Sequence, residues 1–274
     1  MSGGVFGPRR ARMSSLGQRI AEGRTAEIYA WEEGRVLKLF REWVSAEAVE
    51  QEARATRAAY AAGLPVPSVG EVREVERRLG IVLGRVEGPS MAERALSKPW
   101  GLRRWARLLA ELHAEIHSRQ RVEGLPAQRD RLRRSIESPV VPPEVRKRAL
   151  AALEAMPEGE AICHGDFHPH NVIMGRAGPV IIDWIDAACG SPTADVARTW
   201  VLLQERAHTA AGIPWWRRRA IRRFCDAYCA RYFDLRPARR GQFTEWRAIV
   251  AAARLSEEIP GTRKWLLSLA EAGL

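Results

Sequence analysis

Residues 164–171, HGDFHPHN, constrain the fold of this chain more than any other stretch. The run lies between two short apolar segments, AIC before it and VIM after it, and Pro169 prevents it from continuing as a strand. A glycine-containing turn, GRAG, then leads into the apolar segment PVIIDW. Because a hairpin brings its two arms together, we expect Asp183 to lie beside Asn171 and near Asp166.

This hairpin would bring two carboxylates and one amide oxygen, those of Asp166, Asp183 and Asn171, into a small volume. Oxygen ligands of this kind suit Mg²⁺, which takes few protein ligands and completes its coordination with water and substrate phosphate. If Asn171 and Asp183 hold the metal, Asp166 is free to act as a base. The spacing therefore predicts a phosphate-handling site at this loop.

The three histidines of the run, out of six in the whole chain, raise a different hypothesis. A metallohydrolase would use His164, His168 and His170, together with Asp166, as transition-metal ligands. Their every-second-residue spacing suits a strand, but Pro169 interrupts it, and a metal cluster leaves PVIIDW without a role. We therefore favour histidines that shape the loop through hydrogen bonds.

Length and composition place few other limits on the chain. Its 274 residues permit one large domain or two modest ones, and 46% hydrophobic with 28% charged residues is ordinary for a soluble protein. No apolar run approaches the ~20 residues needed to cross a bilayer. The first 18 residues lack the apolar region of a secretory signal. We expect a cytoplasmic protein without a membrane partner, with residues 1–16 as a flexible tail.

The formal net charge of +11 raises the hypothesis of nucleic-acid binding, but the composition argues against it. Only four of the 44 basic residues are lysines, and arginines are spread along the whole chain. The densest basic stretch, WWRRRAIRRF, suits an amphipathic helix whose arginines are solvated. Such a spread indicates a general bias towards arginine rather than one phosphate-binding face, so we disfavour a nucleic-acid partner.

In so arginine-rich a chain, the lysine in the apolar segment RVLKLF is unusual. Lys38 lies in a predicted strand, from which it could reach phosphates held between two lobes. A buried lysine needs a counter-charge, because desolvation otherwise favours its neutral form. Glu52 lies on the inward edge of the next predicted helix, and we expect it to pair with Lys38.

The first third of the chain predicts a small antiparallel sheet with one helix. AEIYAW and RVLKLF are joined by a glycine-containing turn and predict a hairpin. A helix is expected from an N-cap at Ser45 to a stop at Gly63, followed by an extended LPVP segment. EVREVERRLGIVLGRV then predicts two further strands.

After the EGP sequence at residues 87–89 the pattern becomes mostly helical. LLAELHAEIH predicts an amphipathic helix with His113 and His117 on its polar flank, as local hydrogen-bonding groups. Further helices are expected at RKRALAALEAM and throughout the chain after Thr193. We therefore predict a bilobal α+β fold, with a β-rich lobe over residues 1–87 and a helical lobe over residues 88–274.

With these motifs in order, the chain resembles the aminoglycoside phosphotransferase and choline kinase-like family, which has the protein kinase-like fold. The shared motifs run along nearly the whole chain: VLK, the helix with Glu52, LPVP, VEG, LLAELH, HGDFHPHN, IIDW and SPTADVA. HGDFHPHN followed by IIDW at hairpin spacing is the specific part. The stretch AEGRTAEIY has one glycine where protein kinases have three, which argues against a protein kinase rather than against a kinase.

The resemblance implies a role for each residue of the predicted site. Asp166 would accept the proton of the acceptor hydroxyl, and Asn171 with Asp183 would hold Mg²⁺ on the nucleotide phosphates. Lys38 would bind the α- and β-phosphates, with Glu52 orienting it. These are the roles expected of a site whose catalysis depends on positioning and charge neutralisation.

Backbone groups complete the implied nucleotide site. Amides at Arg24, Thr25 and Ala26 would cradle phosphate, and backbone groups between Gly84 and Val86 would bind the adenine. The cofactors expected are therefore ATP, or another nucleoside triphosphate, and Mg²⁺.

The sequence gives less specific indications of the roles of two further aspartates, Asp186 and Asp195. Asp195, at the start of a predicted helix, is expected to stabilise the catalytic loop. Asp186 could lie on the rim of the site or behind the metal ligands, and the sequence leaves both positions open.

The implied activity is transfer of the γ-phosphate of ATP to a hydroxyl of a small molecule. The alternative is a kinase-like module that binds nucleotide or a partner without turnover. The last third of the chain has one adjacent acidic pair, Glu257 and Glu258, and no dense acidic cluster. We therefore expect a weak preference for polycationic aminoglycosides, and leave a neutral or an anionic acceptor open.

Overall fold

A computed structural model of the chain describes residues 16–97, 99–120, 124–209, 213–237 and 240–274. The tail predicted for residues 1–16 falls, except for its last residue, outside the described residues. Within the described ranges, no helix has the length and apolar character that a membrane crossing requires.

A five-stranded sheet forms the small lobe, with the strand order β1-β2-β3-β5-β4 and every neighbouring pair antiparallel. The strands are β1 (Arg19–Glu22), β2 (Ala26–Ala30), β3 (Arg35–Phe40), β4 (Val69–Val75) and β5 (Arg78–Gly84). Both predicted hairpins, β2–β3 and β4–β5, are present. Strand β1 was not predicted, because all four of its residues are exposed and show no alternation. Lys38 lies on the central strand, opposite Ile28 and Ile81.

Helix α1 (Ala46–Ala61) packs on this sheet and has the predicted ends. The Ser45 side chain accepts a hydrogen bond from the Ala48 amide at 3.2 Å, as an N-cap does. Gly63 follows the helix with φ of 75°, a left-handed conformation that glycine adopts without strain. Val49 and Ala53 are buried in the core of the lobe, so Glu52 between them faces the central strand.

The large lobe is built mostly from helices. They are α2 (Met91–Ser97), α3 (Leu102–Ile116), α4 (Gln128–Ile136), α5 (Pro143–Ala155), α6 (Pro192–Thr209), α7 (Trp215–Leu235), α8 (Phe243–Arg254) and α9 (Arg263–Gly273). One apolar core joins α3 and α7 to the loop around Phe167 and Trp184, and a second surrounds Ile249 of α8. Helix α4 lacked a clear apolar pattern in the sequence, because only Ile136 among its residues is fully buried.

Two short antiparallel pairs fix the loop that carries Asp166 within this lobe. Strand β6 (Ala161–Cys163) pairs with β9 (Ala188–Gly190), and β7 (Val172–Gly175) pairs with β8 (Gly178–Ile181). The β7–β8 pair is the predicted hairpin, and the loop over residues 164–171 lies between β6 and β7. The predicted strand PVIIDW ends at Ile181, before the chain turns at Asp183. The predicted bilobal α+β architecture is confirmed.

One prediction about α3 is wrong. His113 and His117 do not lie on a polar flank, because they are 0% and 3% exposed and face the core beside α7. Buried imidazoles require hydrogen-bond partners. Here the partners come from helices far away in the sequence, so the helical pattern of α3 alone could not reveal them.

Candidate active site

The loop over residues 164–171 turns sharply at Gly165. Its φ is 78°, and a Cβ at this position would lie 2.2 Å from the Asp186 carbonyl oxygen, so only glycine fits. At the other end of the loop, the Asn171 amide nitrogen donates to the backbone oxygen of Asp166 at 2.9 Å and to its Oδ2 at 3.1 Å. These contacts hold Asp166 and Asn171 in one fixed arrangement.

Lys38 connects the two lobes through a pair of carboxylates. Its Nζ lies 2.5 Å from Oε1 of Glu52 and 2.7 Å from Oδ1 of Asp183. The ion pair with Glu52 is the one predicted from the sequence, whereas the contact with Asp183 was not predicted. Burial lowers the pKa of Lys38, but the charges of Asp183 and Glu52 raise it above its ordinary value, so the amine is charged.

Asp183 has an unusual backbone conformation directly after the β7–β8 hairpin. Its φ of 68° lies in the left-handed region, which costs free energy for a residue with a side chain. Among the described residues, neither Asp183 Oδ2 nor Asn171 Oδ1 has a hydrogen-bond partner. Both side chains line the same cleft, so two uncommitted oxygens are available to a hard cation.

A cleft of about 1200 Å³ contains the whole predicted site. All ten predicted residues line it: Arg24, Thr25, Ala26, Lys38, Glu52, Gly84, Val86, Asp166, Asn171 and Asp183. They come from both lobes. The tertiary structure thus brings together residues that are up to 159 positions apart in the chain, from Arg24 to Asp183.

In the segment after β5, the amides of Val86, Glu87 and Gly88 have no acceptor among the described residues. The Gly84 amide donates to the Ser68 oxygen at 2.8 Å, and the Arg85 amide donates to the Gly34 oxygen at 2.9 Å. Val86 is half-buried, and Val86, Glu87 and Gly88 all border the cleft, where their amides can donate to a ligand.

Asp166 is ionised at neutral pH. Burial alone would raise its pKa, but a contact with His168 and the charge of Arg198 hold the pKa well below its ordinary value. The His168 Nε2 atom lies 3.4 Å from Asp166 Oδ2. His164 serves the loop structurally, as predicted, since it contacts the Ile182 oxygen at 3.1 Å and its Nδ1 accepts from the Asp166 amide at 3.2 Å.

Asp195 stabilises the loop over residues 164–171 through hydrogen bonds to its backbone, as predicted. It is fully buried at the start of α6, where Oδ2 accepts from the His164 amide at 2.7 Å and Oδ1 accepts from the Gly165 amide at 2.9 Å. Hydrogen bonds from His113 and His117 outweigh the effect of burial and hold the pKa of Asp195 well below its ordinary value.

Two histidine–tyrosine pairs complete this buried group. His113 and His117 each direct Nε2 at Asp195 Oδ2, at 3.0 and 3.2 Å. Their Nδ1 atoms lie 2.5 Å from the Tyr228 hydroxyl and 2.6 Å from the Tyr232 hydroxyl. The pattern is satisfied when each tyrosine donates to a neutral imidazole and each imidazole donates to the carboxylate.

In the described ranges, His113, His117 and Asp195 form the one group of potential metal ligands close enough to share an ion. The hydrogen bonds just described already use all of their facing atoms, and the three side chains have no exposed surface or almost none. Their role is therefore structural. His164, Asp166, His168 and His170 do not form such a group, so the metallohydrolase hypothesis receives no support.

The free energy of unfolding is expected to fall on acidification below about pH 6.5. Burial lowers the pKa of His113 to about 3. Between these pH values the unfolded chain binds a proton that the folded chain rejects, so stability decreases as the pH falls. Urea unfolding should give a free energy about 2 kcal/mol lower at pH 5 than at pH 7 from His113 alone. Equal values at the two pH values would contradict a neutral His113.

Sequence reasoning placed none of four charged residues at the far end of the cleft, although it noted Glu257 as part of an acidic pair. Arg198 and Glu205 lie on α6, Arg254 ends α8, and Glu257 follows three residues later. All four line the cleft. No local motif marks them, because the two pairs are separated by about fifty residues and meet only when α6 packs on α8.

The position of Asp186, left open by the sequence, is now defined. Asp186 lines the cleft and forms an ion pair with Arg131 of α4. It therefore lies at the rim of the site with its charge compensated by the protein.

A β-rich lobe, a helical lobe and a cleft with a lysine, two aspartates and an asparagine define a bilobal, kinase-like phosphotransferase fold. The model of the phosphotransferase enzyme family matches residues 17–242, and the chain belongs to this family. A search of curated proteins finds no matching relative.

Solved structures of similar fold cover nearly the whole chain. A thermostable mutant of aminoglycoside phosphotransferase APH(4)-Ia, in ternary complex with ADP and hygromycin B, is 16% identical with a TM-score of 0.64, covering 94% of this chain and 92% of its own. A choline/ethanolamine kinase family protein from Mesorhizobium loti is 18% identical with a TM-score of 0.62, covering 96% and 88%. Amicoumacin kinase hAmiN, with AMP-PNP, Ca²⁺ and Ami, is 13% identical with a TM-score of 0.63, covering 93% and 86%.

Proposed function

We propose that the protein transfers the γ-phosphate of Mg²⁺–ATP to a hydroxyl group of a small molecule. The observation that carries this proposal is the arrangement of Lys38, Asp166, Asn171 and Asp183 around one cleft. Family membership supports a phosphotransferase that uses a nucleotide. The acceptor and the individual residue roles are part of the proposal.

The nucleotide would lie between the lobes. Lys38, held by Glu52, is charged and faces the cleft, so it can bind the α- and β-phosphates. Backbone amides at Arg24, Thr25 and Ala26 border the same space and can add contacts to phosphate. The unused amide of Val86 can donate to an acceptor nitrogen of the adenine.

Asn171 and Asp183 fit a magnesium site, because each offers one oxygen without a protein partner and both face the cleft. Bound there, Mg²⁺ would neutralise charge on the transferred phosphoryl group. The hydrogen bonds from Asn171 to Asp166 orient the amide so that its nitrogen, not its oxygen, faces the base. The presence of Ca²⁺ with AMP-PNP in the amicoumacin kinase structure agrees with a divalent site in this fold.

Asp166 would orient the acceptor hydroxyl and accept its proton. Its low pKa keeps the carboxylate ionised, so it can accept a hydrogen bond from the hydroxyl before transfer begins. In a loose phosphoryl-transfer transition state the proton can move late, so a weakly basic carboxylate is sufficient. All four polar positions required for turnover are present, which argues against the alternative of a catalytically silent module.

Lys38→Met is expected to weaken MgATP binding by about 10- to 100-fold, because a charge-assisted hydrogen bond to phosphate contributes about 1.5–3 kcal/mol. Isothermal titration calorimetry with ATP, in the presence and absence of Mg²⁺, measures this loss. The variant leaves Glu52 without its partner, so the double variant K38M/E52Q should be titrated as well.

Lys147→Met is the matched control, since Lys147 is exposed on α5 and does not line the cleft. It should bind MgATP as the unmodified protein does. Failure of the unmodified protein to bind MgATP would refute the proposed function.

A further inference from the structure

The far end of the cleft contains an ion-pair network between α6 and the end of α8, formed by Arg198, Glu205, Arg254 and Glu257. Arg254 binds Glu205 through two bonds, Nε to Oε2 at 2.7 Å and Nη2 to Oε1 at 3.1 Å. Glu257 is shared, since it pairs with Arg254 and lies 2.7 Å from Arg198. We refer to these four residues as the α6–α8 network.

The α6–α8 network is largely withdrawn from water and attached to the catalytic loop. The side chains of Arg254 and Glu205 are 8% and 11% exposed. Arg198 also donates from Nε to the Gly165 oxygen at 3.1 Å, directly before Asp166. An acceptor hydroxyl that reaches Asp166 from this end of the cleft would therefore lie next to the network.

The charges of the network cancel, because two arginines face two glutamates. The other carboxylates at this end are also committed: Asp186 pairs with Arg131, and Glu93 accepts from the amide and the hydroxyl of Ser90 at 2.7 and 2.9 Å. Across the described part of the chain, Arg206 has no ion-pair partner, although it lines the cleft and is exposed. At this end, apart from Asp166 and the hydrogen-bonded Glu93, the charge without an ion-pair partner among the described residues is that of Arg206.

We infer that the acceptor carries no positive charge and is an uncharged or singly anionic hydroxyl compound. This inference rests on the proposed function. An ammonium group could reach Glu205 or Glu257 only by displacing an arginine, which would leave a buried cation without its partner. The α6–α8 network therefore disfavours the binding of a polycation. Its side chains can still form hydrogen bonds with hydroxyl groups of an acceptor. A carboxylate or phosphate on the acceptor would instead pair with Arg206.

A charge-resolved acceptor screen tests the inference and requires no candidate acceptor at the outset. Small molecules from a bacterial extract are separated by ion exchange into cationic, uncharged and anionic pools. Each pool is incubated with the full chain, Mg²⁺ and ATP labelled at the γ-phosphate, and Asp166→Asn serves as the blank. Label transferred in the uncharged or anionic pool supports the inference.

Label transferred mainly in the cationic pool would overturn it. Transfer in none of the pools, by a protein that still binds MgATP in the calorimetric titration, would also count against an acceptor of this class. Loss of MgATP binding itself would instead refute the proposed function, so the two failures are distinguishable.

Two variants test whether the arginines at this end of the cleft exclude cationic acceptors. Arg254→Gln removes the arginine that Glu205 and Glu257 share. We expect this variant to bind the polycationic aminoglycoside kanamycin at least about tenfold more tightly than the unmodified protein does. Calorimetry measures the difference. Arg206→Glu changes an exposed position and avoids disturbing the core if the first variant does not fold. It should strengthen kanamycin binding in the same direction, and raise the KM of an anionic acceptor about tenfold.

Arg107→Glu is the matched control, because Arg107 is exposed on α3 and does not line the cleft. It should alter neither kanamycin binding nor the KM of the acceptor. Tight kanamycin binding by the unmodified protein, unchanged in Arg254→Gln and in Arg206→Glu, would show that neither the α6–α8 network nor Arg206 selects against cations.

Discussion

Asp166→Asn is expected to lower the rate of phosphate transfer by about 10²–10⁴-fold, the contribution of a positioned general base. Asparagine has nearly the same shape and retains one oxygen for Asn171 Nδ2 at this position, so the loop should keep its fold. The carboxylate that orients the hydroxyl and takes its proton is lost. A coupled assay of ADP release, with the pool that accepts label in the charge-resolved screen, measures the effect on kcat.

Asp226→Asn provides the comparison for this variant, since Asp226 is an exposed aspartate of α7 outside the cleft. Its kcat should equal that of the unmodified protein. Calorimetry should show that Asp166→Asn still binds MgATP, because the lost group contacts the acceptor rather than the nucleotide. Undiminished phosphate transfer by Asp166→Asn would exclude Asp166 as the base.

Asp195→Ala is expected to lower the free energy of unfolding by about 3–5 kcal/mol, the cost of removing one partner from a buried, charged hydrogen-bond group. The change leaves four donors without their acceptor: the amides of His164 and Gly165, and the imidazoles of His113 and His117. Because two of these four donors, the amides, belong to the loop that carries Asp166, the rate of phosphate transfer should fall together with the stability. Urea unfolding and ADP release measure the two effects.

Asp234→Ala is the control, because Asp234 is exposed near the end of α7 and should tolerate the same truncation. If Asp195→Ala does not fold, Tyr232→Phe provides a milder test of the same group. It removes the hydroxyl that contacts His117 and should cost about 1 kcal/mol. No loss of stability in either variant would contradict the structural role assigned to this buried group.

Sequence patterns predicted well those features that depend on neighbouring residues. The N-cap at Ser45, the β7–β8 hairpin and the loop around Asp166 arise from local turn chemistry and apolar spacing. The pairing of Lys38 with Glu52 was also predictable, because a helix that follows a strand directly must pack on the same sheet. These local signals were sufficient to propose the nucleotide half of the site.

Features that depend on distant packing were missed. The exposed strand β1 lacks any alternation of buried and exposed residues. It is recognisable as a strand only from its pairing with β2 at the edge of the finished sheet. His113 and His117 were placed on the wrong face, because their partners Tyr228 and Tyr232 are 115 residues away. From sequence alone, a polar residue on a helix is expected on the solvent-exposed face unless a buried hydrogen-bond partner is known. Here only the packing of α3 on α7 brings such partners to the two histidines.

The sequence by itself determined the order of the elements, the two lobes and ten residues that line the cleft, since strand and helix periodicities and turn residues act over a few positions. Tertiary structure alone decided that Lys38 also contacts Asp183, 145 residues later, and that Arg198 and Glu205 meet Arg254 and Glu257 at the far end of the cleft. Such contacts follow from which helices pack together, and no local pattern of residues encodes that choice.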